Sequence, residues 1–253
     1  MKNIASSFIL FVLLLAANLS AQTNPLASDI PSPAGSKLPA ACIPAARSKP
    51  ANWMSRHETF VEQAKQGGVD ILFMGDSITD FWRSRGSNVW NEYYAPRHAA
   101  NFGIGGDRTQ HVLWRIEHGE LAGIHPKVTV LMIGTNNSNS DSATNIALAI
   151  KMIVDDIHAK IPDTKILLLA IFPRNKPTDK PDQMRTIHQV NEMIAQYDDG
   201  GKTVKFLDLS QDFLGPDGKV HSDVMSDFLH PTEKGYQIWA KAMEPALDSM
   251  MSN

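Results

Sequence analysis

The stretch ILFMGDSITDFW, residues 71–82, runs four apolar side chains directly into Gly75, Asp76 and Ser77. Consecutive hydrophobics without polar alternation describe a strand covered on both faces, the condition of a parallel sheet. Four further runs repeat the pattern: AANFGIG from Ala99, VTVLMIG from Val128, KILLLAIF from Lys165 and VKFLDLS from Val204. Helical patterns lie between them. Ile146, Ala149, Ile150, Ile153, Val154 and Ile157 recur three or four apart, with Lys151, Asp155 and Asp156 turned away. A second helix is predicted from about Gln183 to Tyr197. A last one follows Pro231, which suits a first helical turn, and carries Tyr236, Ile238, Trp239 and Met243. Strands alternating with helices predict an α/β fold, a three-layer α/β/α sandwich around a five-stranded parallel sheet.

The whole chain sets the bounds. With 253 residues, 43% hydrophobic and 20% charged, it suits one large domain. A net charge of −3 gives no case for a nucleic-acid partner, which a basic stripe would attract. The opening MKNIASSFILFVLLLAANLSAQT has a lysine, an apolar run and small residues before Gln22, the layout of a signal peptide over residues 1–21. A secreted or periplasmic protein is expected, with no stable membrane insertion after cleavage, because no second such run follows. Pro25, Pro31, Pro33, Pro39, Pro44 and Pro50 mark residues 22–51 as an extended linker or wrapped arm. The folded domain is expected over 52–253, with Asn52 capping a helix that runs to Gly67. Cys42 is the lone cysteine, so no disulfide within the chain braces the fold.

In a parallel sheet, ligands sit outside the carboxyl ends of the strands. After the first run comes Ser77; after the second, Gly103, Gly105 and Gly106; after the third, Gly134, Asn136 and Asn137. After the fifth, past a loop, SDFLHPTEKGY holds Asp227 and His230. A serine hydroxyl is a poor nucleophile until an imidazole takes its proton, and the imidazole needs a carboxylate on its other nitrogen. Asp227 and His230, three apart, supply that pair. The oxyanion formed by attack needs N–H donors, and Ser77 N–H, Gly106 N–H and the Asn136 side-chain amide are the candidates. A dinucleotide site is not expected, since Arg108 stands where the glycine fingerprint needs its last glycine. Without H-x-H, C-x-x-C or H-E-x-x-H, neither a metal nor a cofactor is expected.

GDSIT, NFGIGGDRTQHVLWR, IGTNN and DFLHPTEKGY together resemble the SGNH (GDSL-type) hydrolase family, over roughly Asp70 to Met243. The chain is similar in particular to the catalytic α subunits of platelet-activating-factor acetylhydrolases. The resemblance implies the flavodoxin-like SGNH hydrolase fold and a serine esterase. It assigns Ser77 as nucleophile, Asp227 and His230 as its partners, and Ser77, Gly106 and Asn136 as the oxyanion hole. Ile78 replaces the leucine of the family name, a change the chemistry should not feel. The export layout and proline-rich arm are unlike an intracellular acetylhydrolase, so its phospholipid substrate does not carry over. Hydrolysis of short-chain (acetyl) esters of small molecules or glycans is expected, with carbohydrate O-acetyl esters in view. A lysophospholipase or lipid acetylhydrolase activity, or a catalytically silent glycan-binding module, are the alternatives, and a homodimer stays open. Phe81 and Trp82 are candidates for the substrate pocket wall or for the core. Trp53, Trp82 and Trp90 are candidates for stacking on sugars, or again for the core. Asp76 is expected to fix its loop rather than to transfer protons.

Overall fold

All five apolar runs form strands of one sheet in the computed structural model: β1 (Ile71–Gly75), β2 (Ala99–Gly103), β3 (Val128–Met132), β4 (Lys165–Leu169) and β5 (Val204–Leu207). The structure describes residues 37–252. The expected export segment over 1–21 and the first part of the proline-rich arm lie outside the described residues. The strands run in the order β2-β1-β3-β4-β5, every neighbouring pair parallel. The winding therefore reverses at β1, between β2 and β3. That reversal opens a crevice outside the carboxyl ends of these strands. Gly75 pairs in register with both Gly103 and Met132, so the three strand ends finish level.

The lack of polar alternation has its reason in two cores. Leu72, Met74, Leu131, Ile166 and Leu168 face one cluster, filled by helices α1 (Trp53–Gln66), α4 (Thr109–Glu117), α5 (Ala143–Lys160) and α6 (Gln183–Ile194). Ile71, Phe73, Val130, Leu167 and Leu169 face the other. There α3 (Ser87–Tyr93) and α7 (Glu233–Ser252) close the sandwich. Burying each such side chain contributes about 1.5–3 kcal/mol, against the entropy of ordering the chain.

Some expectations change at the element ends. The Asn52 side chain does not cap α1; the Asn52 backbone carbonyl instead accepts the Ser55 hydroxyl at 3.0 Å. Pro231 sits just outside α7, and Thr232 caps that helix by accepting Gly235 N–H at 3.3 Å. The compact unit that holds the sheet runs from Leu38 and so takes in the last part of the proline-rich arm. Ala41 and Cys42 are buried against Ala149 of α5, Thr109 donates its hydroxyl to the Ala41 carbonyl at 2.8 Å, and Ala45 N–H reaches the Gln110 carbonyl at 3.0 Å. This part of the arm is held by apolar contacts that proline content conceals.

Trp82 needs correcting as a pocket residue. It is fully buried, with the rings of Tyr236, Trp239 and Tyr94 at 4.3, 5.0 and 5.2 Å. Trp53 is likewise buried, donating Nε1–H to Asp107 at 2.7 Å, so neither stacks on a sugar. The cause is helical geometry. Helix α2 (Ser77–Asp80) passes into a 3-10 turn over Phe81–Arg83, where successive side chains diverge by about 100–120°. Phe81 therefore faces the strand ends while Trp82 enters the core.

Candidate active site

Ser77 stands two residues beyond β1, at the first position of α2. The preceding Asp76 caps the turn by accepting Ile78 N–H at 3.0 Å. The next turn is clamped from two sides: Tyr236 donates its hydroxyl to the Ile78 carbonyl at 2.6 Å, and Asn101 donates to the Thr79 carbonyl at 2.8 Å. Gly103 permits this closeness, since a Cβ there would lie 2.5 Å from Asp80 N. Complete burial pushes the Asp76 carboxyl up to about 7, against the pull of the Ile78 N–H. Its role is to shape the loop.

His230 arrives from far along the chain. The turn Asp227–His230 is closed by Asp227 itself, whose Oδ1 accepts the backbone N–H of His230 at 2.8 Å and of Leu229 at 3.3 Å. Phe228 takes the left-handed region at φ 58° to make the turn, a conformation uncommon outside glycine. Asp227 Oδ2 accepts His230 Nδ1–H at 2.7 Å, which leaves Nε2 as an acceptor. Ser77 Oγ lies 2.8 Å from that Nε2. Three side chains separated by up to 153 positions thus form one continuous hydrogen-bonded chain. Burial raises the cost of ionising Asp227, yet the hydrogen bonds from His230 outweigh it and hold the carboxyl at about 2. For His230, burial lowers the imidazole below its ordinary range, with the Asp227 bond opposing. Phe81 packs beside it, ring centroids 4.9 Å apart, and so borders the site.

The donors expected around the attacked oxygen come from β2 and β3. Gly106 adopts φ +79°, a left-handed conformation that glycine takes without steric cost. Among the described residues, neither Ser77 N–H nor Gly106 N–H is bonded to a protein acceptor. Asn136 is held by donating Nδ2–H to the Asp107 carbonyl at 2.8 Å, with Asp76 Oδ2 at 3.5 Å. Asp80 fastens the glycine loop by accepting Gly105 N–H at 3.0 Å while bound by Arg56 at 2.6 and 2.7 Å. Arg47, from the arm, donates to the Gly105 carbonyl at 2.8 Å and pairs with Asp107 at 3.1 Å. Its guanidinium lies about where a Gly106 side chain would begin, 3.0 Å from a Cβ.

Sequence reasoning missed two sets of residues here. Arg47 carries no local signal, because the arm gives no hint of where it packs. The loop leaving β4, with Arg174 and Lys176, was open to discovery by the strand-end rule that located the others. Arg174 donates to Thr135 Oγ1 at 3.1 Å and pairs with Asp179. Asn175 N–H hooks the Phe228 carbonyl at 3.1 Å, joining this loop to the Asp227–His230 turn. A cavity of about 400 Å³ opens between Gly106, Asn136 and this loop. Among the described residues, no group of three or more His, Cys, Asp or Glu is placed to hold a metal ion, and no helix is long and apolar enough to cross a membrane.

Comparisons with known proteins bear on the family and the fold. Residues 73–238 match the model of the GDSL-like Lipase/Acylhydrolase family. Platelet-activating factor acetylhydrolase IB subunit alpha2 of Rattus norvegicus is 39% identical over 200 residues, covering 79% of this chain and 83% of its own. Subunit alpha1 of Homo sapiens is 37% identical over 196 residues, 77% of this chain and 82% of its own. The fold recurs in a GDSL-like lipase from Bacteroides thetaiotaomicron, with a TM-score of 0.62 at 20% identity over 79% of this chain and 97% of that one. It recurs too in a catalytic mutant of an acetylxylan esterase from Geobacillus stearothermophilus, with a TM-score of 0.55 at 19% identity over 71% and 94%. Sequence match, strand order and the residues gathered at the strand ends converge, and the chain belongs to the GDSL-like lipase/acylhydrolase family of ester hydrolases.

Proposed function

We propose that the protein is an exported serine esterase that removes acetyl groups, with carbohydrate O-acetyl esters as its substrates. The observation that carries the reading is the chain Ser77 Oγ to His230 Nε2 at 2.8 Å and His230 Nδ1 to Asp227 at 2.7 Å. Ser77 Oγ attacks the ester carbonyl as His230 Nε2 takes its proton. The oxygen that becomes negative is held by the N–H groups of Ser77 and Gly106 and by Asn136 Nδ2. His230 then gives the proton to the departing alcohol, leaving acetyl-Ser77. Water, deprotonated by His230, releases acetate and restores the serine. Asp227 holds the neutral imidazole in the accepting tautomer and stabilises the imidazolium each time His230 carries the proton.

The cavity favours a polar alcohol half of the ester. Leu229 is the one hydrocarbon side chain among the residues lining it, so this cavity offers a long chain no apolar trough. A lipid acetylhydrolase is the second reading, favoured by the identity to the two acetylhydrolase subunits. Acetylated xylan and pectin fragments assayed beside p-nitrophenyl esters of rising chain length separate the two. Activity on acetylated glycans with a steep loss beyond the shortest esters is the expected result. Preference for long acyl chains with silent glycans refutes it.

Two measurements bear on individual roles. Asn136→Ala is expected to lower kcat by about 10²–10³-fold with KM little changed. A rise in KM alone reassigns Asn136 to substrate binding. The acid limb of kcat/KM follows His230, which must be neutral to accept the Ser77 proton. Since burial depresses its pKa, the limb is expected to be centred below the ordinary imidazole value of 6.5, with pH 7 on the plateau. A limb centred above 6.5 contradicts the base assignment.

A further inference from the structure

The cavity beside Gly106 and Asn136 gathers positive charge that acetyl transfer does not use. Its wall carries Arg108, Arg174, Lys176 and Lys180 against one carboxylate, Asp179. This occurs in a chain whose net charge is −3. Arg174 is neutralised by its pair with Asp179. Lys180, exposed, donates to the Asn139 carbonyl at 2.6 Å. Arg108 donates to Ser140 Oγ at 3.0 Å and stands 3.9 Å from Asp141, too far for a hydrogen-bonded pair. Lys176 Nζ makes no ion pair among the described residues, yet its charge is felt at His230. Arg108, from the turn ahead of α4, and the two lysines, from the loop after β4, therefore border the cavity from different loops.

An acetyl group is uncharged and only two carbons long. It has no use for a cavity of about 400 Å³ bordered by cations. The alcohol half of the ester is the part that can fill it, and an anion there would meet Lys176 without displacing an existing partner. We infer that this cavity is a subsite for a negatively charged group on the alcohol half of the substrate, an acetylated sugar acid being the class it fits. The inference rests on the esterase reading and deepens it. The cations also raise the local concentration of such a substrate, an effect that salt weakens.

The test compares 4-acetoxybenzoate with its neutral counterpart 4-acetoxybenzamide. The anionic ester is expected to have a kcat/KM about tenfold higher at low ionic strength, a preference that shrinks in 0.5 M salt, roughly a Debye length of 4 Å. In Arg108→Gln/Lys176→Gln the ratio should fall close to one, with the melting temperature checked to exclude misfolding. Acetylated glucuronate oligosaccharides and acetyl glycerophosphate then distinguish a sugar acid from a phosphate-bearing alcohol. Hydrolysis of both probes with no preference overturns the subsite while the esterase reading stands. If neither probe is hydrolysed, the esterase reading fails. Titration of the Ser77→Ala protein with the same two esters still decides the subsite. Tighter binding of the benzoate supports it, and equal affinities overturn it.

Discussion

Ser77→Ala is expected to lower kcat by at least about 10³-fold while the melting temperature stays where it was. The size of the effect follows from the removal of the atom that would form the acyl-enzyme, since no other hydroxyl is hydrogen-bonded to His230 among the described residues. Folding should be indifferent. The Ser77 side chain makes its hydrogen bond to His230 alone, and the turn is held by Asp76, Asn101 and Tyr236 through backbone groups. Steady-state turnover of p-nitrophenyl acetate, with a melt of the same sample, gives both numbers. A variant that keeps a tenth of the wild-type rate would require another nucleophile.

The second large effect concerns stability. Arg115 is completely buried beneath the glycine loop, with Glu120 at 2.7 Å and Asp107 at 3.0 Å. It also donates to the Phe102 carbonyl at 2.8 Å, tying the end of β2. Burial alone would lower its pKa, but the two carboxylates more than compensate and raise it. Arg115→Met keeps much of the volume and leaves Glu120 and Asp107 buried together without their common cation. Breaking a buried ion pair in this way costs about 3–5 kcal/mol, a large part of the stability of an ordinary domain. Urea unfolding should show the midpoint falling with the slope unchanged. A loss under about 1 kcal/mol would mean that the two acids are protonated or hydrated at little cost. Because the Asp107 carbonyl also holds Asn136, activity should fall before the fold does.

The contrast between these two residues says why some of the site was legible in the chain. Ser77, Asn136 and Asp227–His230 each follow a strand or precede a helix within a short, recognisable block. The strand-end rule then brings them to one edge without knowledge of any contact. Applied equally to β4, the rule would have reached Arg174 and Lys176. Arg115 and Arg47 are different. Their partners, Glu120 and Asp107, are ordinary charged residues in sequence, and only packing makes them buried counter-ions. The same holds for Trp82, whose neighbour Phe81 borders the imidazole while it does not.

What the amino-acid order determined alone was the periodicity: five uninterrupted apolar runs, helices between them, and polar residues waiting at the strand ends. Periodicity is a local property, set by how often a side chain meets the core, so it survives in one dimension. Tertiary structure alone decided the 2.8 Å between Ser77 and His230, the inward turn of Trp82, and the docking of residues from Leu38 onto the hydrolase body. Each of these depends on surfaces contributed by distant segments. No stretch of chain can encode, by itself, the shape of the neighbour it will meet.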